Sequence, residues 1–184
     1  AFATAQQQDA FRQELLDGLA WGDAKQRLFE LLGMNSALPA LDGHDGLAIV
    51  ANNAAGNKID SFARREVRYQ GVHDPRSGRI DAELSVTLDN TAPTQGYPDY
   101  VLSNLIDEPS GTNRTLLSVY TPLQVAAATI DGRPVAFSTD RELGWNVYTV
   151  TVQLAAREAA TVTLSLNGVL EPGRYRLAVR PQPL

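Results

Sequence analysis

The residues that could do chemistry in this chain are few, and most of them fail the spacing test. Nucleophilic hydrolysis needs a Ser or Thr whose proton is taken by an oriented base. Only His44 and His73 are available as imidazoles in 184 residues, both beside Asp and Gly or Pro in sequence that reads as turns. The Gly-x-Ser-x-Gly elbow of serine hydrolases does not occur. Two histidines also fall short of the usual ligand set of catalytic zinc. Asp42, Asp45, Asp107 and Glu108 offer oxygen ligands, but they lack the run of alternating acids around a Gly that cages calcium, and they read as solvated turn residues. Gly56-Asn57-Lys58 resembles the tail of a phosphate-binding loop. That loop needs Gly directly before the Lys and Ser or Thr directly after it, places held here by Asn57 and Ile59. Asn52, Asn53, Asn57 and Asp60 are expected instead to fix a chain reversal through side-chain-to-backbone bonds. No cofactor and no metal is expected.

The segment from Asn90 to Arg114 is the best functional candidate. Loops beyond about 15 residues are uncommon in compact domains unless they bind something or are disordered. This one carries Tyr97, Asp99, Tyr100, Asn113 and Arg114. Aromatic rings beside amide and guanidinium groups suit a polar, ring-shaped ligand such as a sugar. The competing use for Tyr97 and Tyr100 is to cover the open end of a core. Arg174, Arg176 and Arg180, with Arg68, suggest a basic stripe for an acidic glycan, or charged edges that deter sheet-to-sheet aggregation. Asn113-Arg114-Thr115 matches an N-glycosylation sequon, a short motif that also arises by chance.

The elements that must position these residues are mostly strands. From Arg65 the apolar period is two: Val67 and Tyr69 alternate with Glu66, Arg68 and Gln70. Asp74-Pro75-Arg76-Ser77-Gly78 then turns the chain into Ile80, Ala82, Leu84, Val86 and Leu88, giving a hairpin with one wet and one dry face. Leu117 and Val119 follow the long loop, and a run from Val125 to Ile130 is closed by Asp131-Gly132, a hairpin signal. Further dry faces are Tyr148, Val150, Val152 and Leu154, then Val162, Leu164 and Leu166, then Tyr175, Leu177 and Val179. Leu47 to Ala51 reads as a short buried strand. Before it the period is helical: Phe11, Leu15, Leu16 and Leu19 share one face, and Leu28, Leu31 and Leu32 another, with Gly33 at the C-terminal cap. The expected fold is therefore mainly β: an antiparallel β-sandwich of about seven or eight strands over 46–184, preceded by an N-terminal helical hairpin and linker over 1–45.

Composition narrows the function classes. The length supports one sizeable core without staples. The net charge of -5 argues against nucleic acid, whose non-specific affinity rests on clustered Lys and Arg. The absence of Cys removes disulfides, thiolate zinc sites and cysteine nucleophiles. No stretch approaches the ~18 apolar residues of a membrane span. The chain opens on Ala1, which leads to the expectation of a processed product or an excised fragment with any membrane tether lying upstream.

Several segments together carry a family resemblance. They are Asn57-Lys58-Ile59-Asp60, Leu88-Asp89-Asn90-Thr91-Ala92-Pro93, Gly96-Tyr97-Pro98-Asp99-Tyr100-Val101, Gly111-Thr112-Asn113-Arg114-Thr115 and Leu117-Ser118-Val119-Tyr120-Thr121-Pro122. Glu142-Leu143-Gly144-Trp145-Asn146-Val147-Tyr148 and the ending Tyr175-Arg176-Leu177-Ala178-Val179-Arg180-Pro181-Gln182-Pro183-Leu184 extend them. With these the chain resembles the C-terminal part of bacterial proteins carrying domain of unknown function 4012, especially those of high-GC Gram-positive bacteria. The resemblance implies an extracytoplasmic piece of a membrane-tethered cell-envelope protein, and it transfers no catalytic residues. The expected function is a structural or binding module without catalysis of its own, with Tyr97, Asp99, Tyr100, Asn113 and Arg114 as the contact residues. The alternatives are an accessory domain of an envelope glycopolymer transferase and an oligomerisation module. Expected partners are cell-wall glycan, another envelope protein or a second copy, with a membrane engaged only through sequence absent from this chain.

Overall fold

The structure, a computed structural model, describes residues 43–180 and 182. The helical pair expected over 1–45 lies almost wholly outside them. The described residues belong to a compact unit spanning Pro39–Leu184.

That unit is mainly β. Ten strands occur among the described residues: β1 (Asp45–Asn53), β2 (Ala63–His73), β3 (Arg79–Asn90), β4 (Asn113–Thr121), β5 (Gln124–Ile130), β6 (Arg133–Pro134), β7 (Ser138–Glu142), β8 (Trp145–Leu154), β9 (Ala159–Val169) and β10 (Leu177–Arg180). They form two five-stranded sheets, ordered β10-β1-β4-β8-β7 and β2-β3-β9-β5-β6. One apolar core is shared between them: Leu47 and Ile49 from β1 and Leu117 and Val119 from β4 meet Leu84 and Val86 from β3 and Val162 and Leu164 from β9. Alternation builds that core, because successive strand residues point to opposite faces. On β3, Leu84 and Val86 are buried while Glu83 is exposed. The outward faces are knitted by hydroxyl pairs across strands, Thr87 with Thr161 at 2.9 Å and Ser118 with Thr149 at 2.8 Å.

Three features depart from the sequence expectation. The strand number is ten rather than seven or eight, because β6 has two residues and β7 is polar and exposed throughout, so neither shows an apolar period. The pairing is not wholly antiparallel: β10 runs parallel to β1, Asp45 opposite Leu177 through Ala48 opposite Arg180. And the expected last dry face is short. Tyr175, Arg174 and Arg176 precede β10, and Val179 is 58% exposed. The basic stripe loses its strand as a result, and Arg68 is ion-paired with Glu66 at 2.8 Å on β2, in the other sheet.

The turns obey local backbone chemistry. Asp131-Gly132 joins β5 to β6 with both residues at positive φ, 49° and 76°, as a tight two-residue turn requires. Leu143-Gly144 joins β7 to β8 with φ of 50° and 85°, an unusual place for a leucine.

The long segment between β3 and β4 is packed down by a second small core. Ile59, Ala92 and Leu102 are buried together, with Phe62 and Val101 against them. A one-turn 3-10 helix, Ile59–Phe62, and a one-turn helix α1, Asp99–Leu102, bring these residues together. Asn90 anchors the segment's base: its buried side-chain amide donates to the carbonyls of Gly111 and Ala155, both at 2.8 Å.

Candidate functional site

A cleft of about 630 Å³ opens where the end of β1, the 3-10 turn and the start of β2 meet. Its apolar lining comes from Ala51, Ala63, Leu88 and Leu154. Its polar lining includes Asn52, Asn53, Asn113 and Thr115 with Arg65 and Asp60, while Arg64 and Asp89, out of phase with inward Arg65 and Leu88, border it from their strands. A cavity of this size, lined by apolar side chains together with polar groups, has the character of a small-ligand site.

The wall nearest the turn is prebuilt by asparagines. Asn53 accepts a hydrogen bond from the Ala55 N–H at 2.7 Å and donates its amide to Asn57 Oδ1 at 2.9 Å and to Asp60 Oδ2 at 3.0 Å. Asn57 is buried and donates to the Thr112 carbonyl at 3.1 Å, tying this reversal to the end of the long segment. The chain reversal expected of Asn53, Asn57 and Asp60 is therefore present, and it serves as a wall of the cleft.

Arg65 is the unusual member. It occupies an inward position of β2, opposite Leu88 of β3 in register. Its guanidinium donates to Gln182 Oε1 at 3.0 Å. Gln182 also accepts from the Ala51 N–H at 2.8 Å and donates to the Ala51 carbonyl, so a side-chain amide stands in for the next rung of the strand ladder beyond β10. Burial lowers the Arg65 pKa from the ordinary arginine value, yet the group keeps its proton at neutral pH. Among the described residues no carboxylate forms an ion pair with it.

A second polar cluster closes the seam farther along the same edge. Asp45 is fully buried at the start of β1, which corrects its reading as a solvated turn residue. Its carboxylate accepts from the Tyr69 hydroxyl at 2.5 Å, the Tyr175 hydroxyl at 2.7 Å and the Gly46 N–H at 2.8 Å. Desolvation first, then the hydrogen bond to the Asp45 anion, raises the pKa of both tyrosines far above the ordinary phenol value. His73 ends β2 and sits with its ring 5.6 Å from that of Tyr175.

The five residues expected to make contacts divide between four places. Asn113 faces the cleft and is buried, so its sequon is closed to a glycan in the folded chain. Arg114, its neighbour on β4, points the other way and donates two hydrogen bonds to Gln153 Oε1 at 2.7 and 3.0 Å. Tyr97 packs edge-on against Phe62, with centroids 5.1 Å apart, and so supports the turn that supplies Asp60. Asp99 and Tyr100 stand exposed on α1. Covering the small core is thus the work of Tyr97, while Tyr100 remains 72% exposed. Sequence reading missed Arg65, and the signal was present: it is in phase with Val67 and Tyr69, where a dry face should hold an apolar residue.

No family model matches the chain. No solved structure matches it significantly. Short stretches are similar to tryptophan–tRNA ligases: 78% identical over 32 residues to that of Pseudomonas aeruginosa, 17% of this chain and 7% of the ligase. The Pseudomonas putida ligase is 69% identical over 32 residues, with the same coverage. The Xanthomonas axonopodis pv. citri ligase is 47% identical over 47 residues, 26% of this chain and 11% of the ligase. The matches span only 7% to 11% of the length of these curated relatives.

Proposed function

We propose that this chain is a non-catalytic, extracytoplasmic binding module of a membrane-tethered bacterial cell-envelope protein, and that its ligand is a glycan held in the cleft at the end of β1. In this reading the two sheets are an antiparallel-rich β-sandwich. The observation that carries the reading is the cleft lining: amide and hydroxyl groups for sugar hydroxyls beside apolar surface from Ala51, Ala63, Leu88 and Leu154 for the ring face. The envelope location rests on the resemblance to proteins with domain of unknown function 4012. The short likeness to tryptophan–tRNA ligases supplies no part of it.

Two measurements test the proposal. Titration of the labelled protein with envelope polysaccharide from the source cells should shift the backbone amide signals of Asn52, Asn53, Asn113 and Thr115; silence across a broad glycan panel sinks the binding claim. Immunodetection of the native protein should find it in the membrane fraction at a mass well above 19.9 kDa. Recovery only from the soluble cytoplasmic fraction would remove the envelope claim.

A further inference from the structure

Arg65 is costly where it stands. An inward strand position next to the core ordinarily holds an apolar side chain, and a desolvated cation without an anionic neighbour is destabilising. Its five N–H donors form a planar fork suited to a carboxylate. Gln182 Oε1 is a neutral acceptor on that fork, at 3.0 Å.

From this juxtaposition we infer that the cleft selects a carboxylate-bearing saccharide, with the sugar's carboxylate on the Arg65 guanidinium. The inference rests on the glycan reading above and narrows it to acidic sugars. Asp60 decides between a saccharide and a bare anion. A carboxylate on the lining would repel inorganic phosphate or sulfate, but it accepts hydrogen bonds from sugar hydroxyls. An acidic sugar satisfies both kinds of group at once, its anion at Arg65 and its hydroxyls at Asp60 and the amides. Gln182 is the competitor in this arrangement. Its Oε1 occupies the donor that the ligand needs, while its remaining bonds hold the Ala51 main chain.

The test uses the full chain with trigalacturonate and with its methyl ester, which keeps the sugar skeleton and removes the charge. Calorimetry and amide chemical shifts are read in parallel. The expected result is that the acid binds at the cleft, that esterification weakens binding about tenfold or more, and that Arg65→Gln produces the same loss. Gln182→Ala should bind the acid at least as well as the parent chain. Arg68→Gln, outside the cleft, should leave binding unchanged, and Arg65→Lys guards against a folding artefact by retaining charge without the fork. Because the ester comparison uses the parent chain, it stands even if a variant misfolds. Equal binding of acid and ester overturns the carboxylate assignment while leaving the glycan reading intact. No binding of either, alongside silence of the neutral and acidic glycan panel, overturns both.

Discussion

The middle of the inter-sheet space and its edge at β2 are built on the same period and filled with different chemistry. Along β3 and β9 the inward positions are Leu84, Val86, Val162 and Leu164, all essentially closed to solvent. Along β2, in register with β3, they are Arg65, Val67, Tyr69 and His73. Val67 is 42% exposed and Val179, inward on β10, is 58% exposed, so the seam between β2 and β10 is left open where the interior is shut. Two of the polar residues on that seam meet a partner across it, Tyr69 on Asp45 and Arg65 on Gln182, while the buried Nε2 of His73 has no hydrogen-bond partner among the described residues. Inward alternation therefore does not by itself mean an apolar interior. At an edge strand it brings polar groups to a protected but reachable place.

Breaking the dry side should cost the most. Leu84→Ala removes a fully buried side chain and should destabilise by about 2–5 kcal/mol, read as a lower urea midpoint. A change below about 1 kcal/mol would mean that the two sheets do not share one core.

Next comes the seam's anchor. Asp45→Ala leaves two tyrosine hydroxyls without their acceptor and should destabilise by on the order of 3 kcal/mol. The same anchor gives a pH signature. The folded-state pKa of Tyr69 and Tyr175 is raised, so below the ordinary phenol value both states hold the proton and the contribution is intact. Above about pH 10 the unfolded chain loses these protons while the folded chain keeps them, so stability falls with rising pH. Ultraviolet titration should show Tyr69 and Tyr175 ionising only on unfolding. Early ionisation of Tyr69 would remove the anchor from the account.

The smaller effects separate folding from binding. Leu143→Asn should stabilise by about 0.5–1 kcal/mol, because Asn tolerates the positive φ that strains a leucine in this two-residue turn. Arg65→Leu should leave stability unchanged or raise it by up to about 1 kcal/mol, yet weaken binding of the acidic sugar about tenfold or more. A large loss of stability would mark Arg65 as a structural residue.

Much of this architecture is legible from alternation. β3, β8 and β9 carry a strict period over most of their length, and the Asp131-Gly132 turn is chemically explicit. β7 is not legible, since Ser138–Glu142 has no dry face: it pairs with β8 through its backbone at the sheet's edge. The cleft was half legible. Asn53, Asn57 and Asp60 announce a fixed reversal, and Asn113 falls on the lining, but nothing local says that the start of β2 returns to the end of β1. Arg114 illustrates the limit. It neighbours Asn113 in sequence, and the strand sends it to the opposite face, onto Gln153.

The parallel pairing of β10 with β1 also sets how the unit would carry a load. A pull applied at Asp45, the start of β1, and at Arg180, the end of β10, acts on neighbouring strands that run the same way. Their hydrogen bonds then resist sliding together instead of opening one after another like a zip. Under such a pull, the strand ladder Asp45–Ala48 with Leu177–Arg180 would be the fastener that has to slip before the rest of the sheet feels tension.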